Sequence, residues 1–187
     1  MDRAERFSEL YRTQYDAVLS YAWRRTDPET ARDVVAETFL VAWRRLDAVP
    51  ADQGQARPWL YGVARRVLAN AERSRRRAER VTARLSQQHR DDQAPDTAAV
   101  VTQRAGLERA LASLTASDQE ALRLVGWEEL DLAQAALALG CSRSAMAVRL
   151  HRARRRLERA LGAGDAPDGT SAARPVAPAR AVSQETR

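Results

Sequence analysis

The stretch LDLAQAALALGCSRSAMAVRLHRARRRL, Leu130 to Leu157, leaves the chain few ways to fold. Asp131 and Gln134 stand three apart, the spacing at which two side chains satisfy each other's free backbone N–H groups at a helix start. Ala136, Leu137 and Leu139 continue that helix, and Gly140 predicts a tight turn that ends it. Ser142 then caps a second helix. At about 100° per residue, Met146, Leu150, Ala153 and Leu157 share one face of it and point at a core. Helix, glycine turn, helix is the helix-turn-helix pattern, and there is no room in it for a strand.

Other segments carry the same period. Phe7, Leu10, Tyr11, Val18, Leu19 and Ala22 form one helical stripe. Asp27 followed by Pro28 reads as N-cap and first helical residue of a second helix, whose stripe is Ala31, Val34, Val35, Thr38, Phe39, Ala42 and Leu46. Asp47 to Arg57, DAVPADQGQAR, reads as a loop. A third helix is expected to open around Pro58 and to bury Leu60, Val63, Ala64, Val67, Leu68 and Ala71. A shorter stripe, Leu107, Ala110, Leu111 and Leu114, begins a second helical unit. Ser117 to Glu120 matches a capping box for the helix that follows. No alternating strand pattern and no internal repeat is visible, so the expected class is all-α. Two small helical domains are expected, at 1–77 and 106–161. A polar linker at 78–105 joins them, and an Ala/Pro/Gly-rich tail at 162–187 reads as disordered.

Composition narrows the function. The 187 residues carry a formal net charge of +6, and all 31 basic side chains are arginine. Lysine and isoleucine are both absent, which reads as the codon bias of a GC-rich genome, so the positions of the arginines say more than their number. Cys141 is the only cysteine, which excludes an intramolecular disulfide and a cysteine zinc site. The N-terminal MDRAERFSELYR has no apolar h-region, and no apolar run approaches the roughly 18–20 residues that span a bilayer. A cytoplasmic protein without membrane insertion is expected. No phosphate-binding loop, nucleophile triad or convergent carboxylate group appears, so neither an enzyme nor a cofactor is expected.

The last helix decides the class of partner. From Arg143 to Ala160 the one acid is Glu158, whereas Gly106 to Gly140 carries six acids against Arg109 and Arg123. A solvated helix gains from mixed signs at i,i+4 spacing, and here like charges stack. A helix lying on a membrane needs a broad apolar face, and this stripe is narrow. Nucleic acid fits best, because arginine pairs phosphates and forks onto guanine. The solvated face and the membrane surface remain as lesser alternatives.

Three stretches in order, ARDVVAETFLVAWRRL, RPWLYGVARRVLANAERSRRR and the opening segment, resemble regions 2 and 4 of the extracytoplasmic-function sigma factors of bacterial RNA polymerase. The resemblance covers about Phe7–Arg77 and Leu107–Leu161. It implies an initiation factor that binds core polymerase, through the β′ clamp helices and the β flap, and promoter DNA. By that resemblance the second helix meets the clamp helices, with Asp33, Glu37, Val41, Trp43 and Arg44 as its contact residues. Trp43 lies off the core stripe, as an anchor for a partner pocket would, or else it packs locally on a neighbouring helix. Asp33 and Glu37 lie one turn apart but have no third ligand in phase, so no metal is expected.

The resemblance also implies that the loop and third helix read the −10 element, where a base is flipped from the non-template strand. Arg57, Trp59, Tyr61, Arg65, Arg66, Asn70 and Arg73 are the candidates, with the two rings stacking on bases and the arginines holding phosphates. Arg66 and Asn70 stand where relatives often carry Asn and Asp. The helix from Arg143 matches the −35 recognition helix, with Arg143, Ser144, Ala147, Val148, Arg149, His151, Arg152 and Arg155 as candidates. Ala147 and Val148 offer only apolar contact, so base reading leans on His151 and Arg152. Factors of this kind are often held by an anti-sigma protein, though no residue here identifies one. A stand-alone helix-turn-helix regulator is the competing reading; it leaves Trp43 and the Trp59–Arg77 helix without a role.

Overall fold

The computed structural model describes residues 2–85 and 102–164. The expected linker between 86 and 101, and the tail from 165, lie outside the described residues. All seven elements longer than one turn among the described residues are α-helices. The first three are α1 Arg3–Trp23, α2 Pro28–Arg44 and α3 Gln53–Leu85. The other four are α4 Thr102–Ala112, α5 Ala116–Gly126, α6 Leu132–Leu139 and α7 Arg143–Gly164.

Most helix ends follow from local chemistry. Asp27 accepts from the Glu29 and Thr30 amides, with Pro28 at the first helical position. Asp131 accepts from Ala133 and Gln134, and Gln134 Oε1 takes the Asp131 amide in return. Gly140 sits at φ 65°, in the left-handed region where a Cβ is costly, and so closes α6. Ser142 Oγ accepts from the Ala145 amide at the start of α7.

Two starts differ from the expectation. Helix α5 is capped by Thr115, whose side chain accepts from the Asp118 amide, and not by Ser117. The frame shift frees Glu120 from capping, and Glu120 is buried. Helix α3 begins five residues before Pro58, with Asp52 accepting from the Gly54 amide. Proline lacks the N–H that would bond the carbonyl four residues back. That carbonyl belongs to Gly54, and it accepts instead from Gln134 Nε2 of α6 at 3.0 Å. A long-range partner thus replaces the missing helical bond, and the helix runs through the proline.

Helices α1, α2 and α3 pack together over Val18, Tyr21, Ala22, Val34, Phe39, Ala42, Leu60 and Ala64. In the second half, α7 packs on α4, α5 and α6 through Met146, Leu150 and Ala153. The two halves share one continuous buried cluster, because α6 lies directly against α3. Leu60, Tyr61, Gly62, Val63 and Ala64 are therefore buried in succession, the signature of a helix covered on every side. Gly62 makes the approach possible: a Cβ there would meet the Ala138 carbonyl oxygen at 3.0 Å. Helix α3 also continues to Leu85, past the expected boundary at residue 77.

Candidate functional site

Three exposed faces and one buried seam carry the chemistry. On α2 the buried stripe of Ala31, Val34, Val35, Thr38, Phe39 and Ala42 turns the other side outward. Asp33, Glu37 and Arg44 are exposed there, with Val41 half-buried beside them. Trp43 is 38% exposed, and Leu40 stands beside it in solvent. Trp43 packs locally and still keeps part of its ring exposed. Its ring meets Phe7 of α1 edge-on at 5.1 Å and lies under the Arg3 guanidinium at 5.2 Å, yet a large part still faces out. Arg3 also donates to the Trp43 carbonyl at 2.7 Å, which holds this end of α2 against α1.

Along α3 the candidates separate. Arg66, Asn70 and Arg73 are exposed, and Asn70 accepts from Arg73 one turn on. Arg57 is exposed but tied by its Nε to Gln14 Oε1 at 3.0 Å. Trp59 is partly buried against the core. Arg65 is half-buried, and its Nε is enclosed without a hydrogen-bond partner. Tyr61 is a correction to the sequence reading: it is 3% exposed and stacked on Tyr21 at 4.5 Å, so it offers no free ring. Tyr61 adjoins Leu60 and Ala64 on the core side of α3, and burial pushes its hydroxyl up to about 12, with Glu128 adding to the shift.

Helix α7 turns Met146, Leu150 and Ala153 inward and leaves Arg143, Ser144, Val148, His151, Arg152 and Arg155 exposed. Val148 is 49% exposed, an apolar contact at the centre of a polar face. Ala147 and Arg149 are half-buried at its edges. Arg156 is drawn off this face by an ion pair with Asp118 of α5, a carboxylate that is itself buried. That pair fixes the roll of α7 on its support.

The seam was missed by sequence reasoning. Arg25, at the end of α1, donates from Nε to Glu120 Oε2 at 3.0 Å and from an Nη to Glu128 Oε1 at 2.9 Å. Tyr21 Oη donates to Glu120 Oε1 at 2.7 Å, and Arg24 pairs with Glu128. The Glu128 side chain is 1% exposed and that of Arg25 is 6%. Burial, and then the Glu120 charge, push the Tyr21 hydroxyl well above its ordinary value. These partners lie about a hundred residues apart, beyond any local pattern. The available signal was the acid-rich stretch from Asp118 to Asp131 set against the Arg24-Arg25 pair. Among the described residues no group of three or more His, Cys, Asp or Glu side chains could hold a metal, and no helix is long and apolar enough to cross a membrane.

Comparison with known proteins matches the two helical units separately. Residues 10–78 fit the Sigma-70 region 2 family and residues 104–157 the Sigma-70 region 4 family. The ECF RNA polymerase sigma factor SigL of Mycobacterium tuberculosis is 30% identical over 157 residues, covering 81% of this chain and 89% of SigL. The chain belongs to the extracytoplasmic-function sigma factors. BldN of Streptomyces coelicolor, another ECF sigma factor, is 29% identical over 161 residues, covering 84% of this sigma factor and 61% of BldN. Its fold is that of RpoE from Bartonella quintana, solved in complex with the anti-sigma factor NepR (TM-score 0.60, 23% identity, 83% of this chain and 96% of that one). CnrH, solved with the cytosolic domain of CnrY, is similar over 84% of this chain and 88% of its own (TM-score 0.57, 25% identity). This sigma factor is thus a transcription initiation factor, of a class that acts by binding and without covalent chemistry of its own.

Proposed function

We propose that this sigma factor docks on core RNA polymerase through the α2 face and reads two promoter elements with α3 and α7. Asp33, Glu37, Val41, Trp43 and Arg44 form the polymerase contact, with the exposed indole as its anchor. Arg143, Ser144, Ala147, Val148, His151 and Arg152 enter the −35 major groove, and Arg149 and Arg155 hold flanking phosphates. Arg57, Arg65, Arg66, Asn70 and Arg73 track the opened −10 strand, and Trp59 stacks on a base. Tyr61 is left out of this site. Residues 1–77 and 106–161 are the two working domains, joined by 78–105, with 162–187 as a tail. RpoE of Bartonella quintana carries the anti-sigma factor NepR, and a partner of that kind belongs to this reading.

The observation that carries the proposal is the two-sidedness of α7. One face is sealed into the core by Met146, Leu150 and Ala153; the other is exposed and cationic over most of its length. Reading both elements requires the halves to part. Positions −35 and −10 lie about 25 base pairs apart, roughly 85 Å at 3.4 Å per step, while α6 and α3 touch. The packed arrangement is therefore not the promoter-bound form, which is extended.

A mobility-shift assay on promoter DNA, with and without core polymerase, tests this. Specific binding is expected only with polymerase present. Tight, specific binding by the free chain would favour a stand-alone regulator instead.

A further inference from the structure

The seam between the halves widens into a cleft of about 660 Å³, bounded by the end of α1, the middle of α3 and the start of α5. Six arginines line it: Arg25, Arg65, Arg75, Arg76, Arg123 and Arg149. Only three carboxylates line it with them, and each is already engaged. Asp27 caps α2, Glu72 bonds Arg75 and Arg76, and Glu120 takes Tyr21 and Arg25. Among the described residues, Arg65, Arg123 and Arg149 have no carboxylate partner.

Two of these three are also buried at their inner nitrogen. The Nε atoms of Arg65 and Arg123 are both enclosed with no hydrogen-bond acceptor. Arg123 lies over the Trp127 ring at 5.6 Å, and its guanidinium is held below its ordinary value by burial and by the Arg25 charge. A guanidinium whose Nε is enclosed without an acceptor is destabilised unless an anion reaches it. A phosphate group supplies several charged acceptor oxygens in the geometry that guanidinium forks match. The cleft volume lies within the range of small-molecule sites and is far too small for duplex DNA.

We propose that this cleft binds a compact phosphate-bearing anion, of inorganic polyphosphate or nucleotide size, held by Arg65, Arg123 and Arg149. Arg65 comes from the first half and the other two from the second, so the anion bridges the halves and favours the packed form. Arg65 and Arg149 are also DNA contacts in the proposed function, and on that reading the bound anion competes with promoter engagement. Binding itself does not depend on that reading.

The test uses the full chain without polymerase or DNA. Sodium tripolyphosphate, ATP without magnesium and inorganic phosphate are titrated separately at constant ionic strength. Tryptophan fluorescence, sensitive to Trp127, and the thermal midpoint are followed. Saturable binding of one tripolyphosphate per chain is expected, with a raised midpoint, and the ATP arm shows whether a nucleotide shares the site. Arg65→Gln and Arg123→Gln should each weaken binding by about tenfold or more. A control chain carrying Arg32→Gln and Arg159→Gln removes two exposed arginines elsewhere and should change affinity less than about twofold. Should Arg123→Gln fail to fold, Arg65→Gln decides alone. No saturation, or an equal loss in the control chain, overturns the proposal and leaves the sigma-factor reading intact.

Discussion

At the scale of single residues, the caps were legible and the long-range pairs were not. Asp27, Asp131, Gln134, Gly140 and Ser142 act on backbone within four positions, so spacing alone identifies them. Glu120 reads locally as a capping carboxylate, but its partners are Tyr21 and Arg25 across the molecule. Tyr61 gives a prediction of its own. Its hydroxyl is pushed by burial from 10.0 up to about 12. Below pH 10 the folded and unfolded chains both keep the proton. Between about 10 and 12 the unfolded chain loses it first, so stability drains away as pH rises through this window. Chemical denaturation across pH 8–12 should show that fall. Tyr61→Phe should flatten part of it, with Tyr21, also raised, accounting for what remains.

At the scale of elements, the hydrophobic period placed the helices well because each has one buried stripe. It failed on α3 for a physical reason. Pro58 looks like a helix start, and only the Gln134 bond to the Gly54 carbonyl shows why the helix continues through it. The same helix buries five residues in a row, since α6 covers the side that α1 and α2 leave open. On α2 the exposed Trp43 should dominate partner binding. Trp43→Ala is expected to weaken affinity for core polymerase by about 30-fold, or ~2 kcal/mol, in a fluorescence or calorimetric titration. Its far-UV circular dichroism should stay helical, because the indole closes only one corner against Phe7. On α7 two arginines should behave differently. Arg152→Ala should relax base preference at one −35 position, costing about 1–3 kcal/mol against the preferred base. Arg155→Ala should weaken all sequences alike and lower the salt slope by about 1, since a phosphate contact carries no sequence information. Selection of bound fragments by the holoenzyme, repeated at two salt concentrations, separates the two cases.

At the scale of the whole molecule, the fold class was legible and the packing of one half on the other was not. Two amphipathic units and a polar linker describe beads on a string. The closed form depends on a glycine facing a carbonyl oxygen, Gly62 on Ala138, and on three charges buried together, Arg25, Glu120 and Glu128, with the partly exposed Arg24 pairing Glu128 from outside. Removing one member of a buried ion pair leaves its partner uncompensated, at a cost of about 3–5 kcal/mol. Here the arginines can escape that cost by hydrating as the halves separate. A chain carrying Glu120→Gln and Glu128→Gln should therefore keep its helical content but show a larger radius of gyration in small-angle scattering. An unchanged radius would mean that the apolar contact of α6 on α3 suffices to keep the halves together.

All of these scales meet in initiation. Core RNA polymerase lacking any sigma factor, mixed with the purified chain and a pool of genomic promoter fragments, gives the most direct measurement. Discrete run-off transcripts should appear only when the chain is added, should start at fixed positions, and should fall sharply with Trp43→Ala. A chain that folds, yet yields no initiation from any fragment while a known sigma factor works with the same polymerase, would contradict the account.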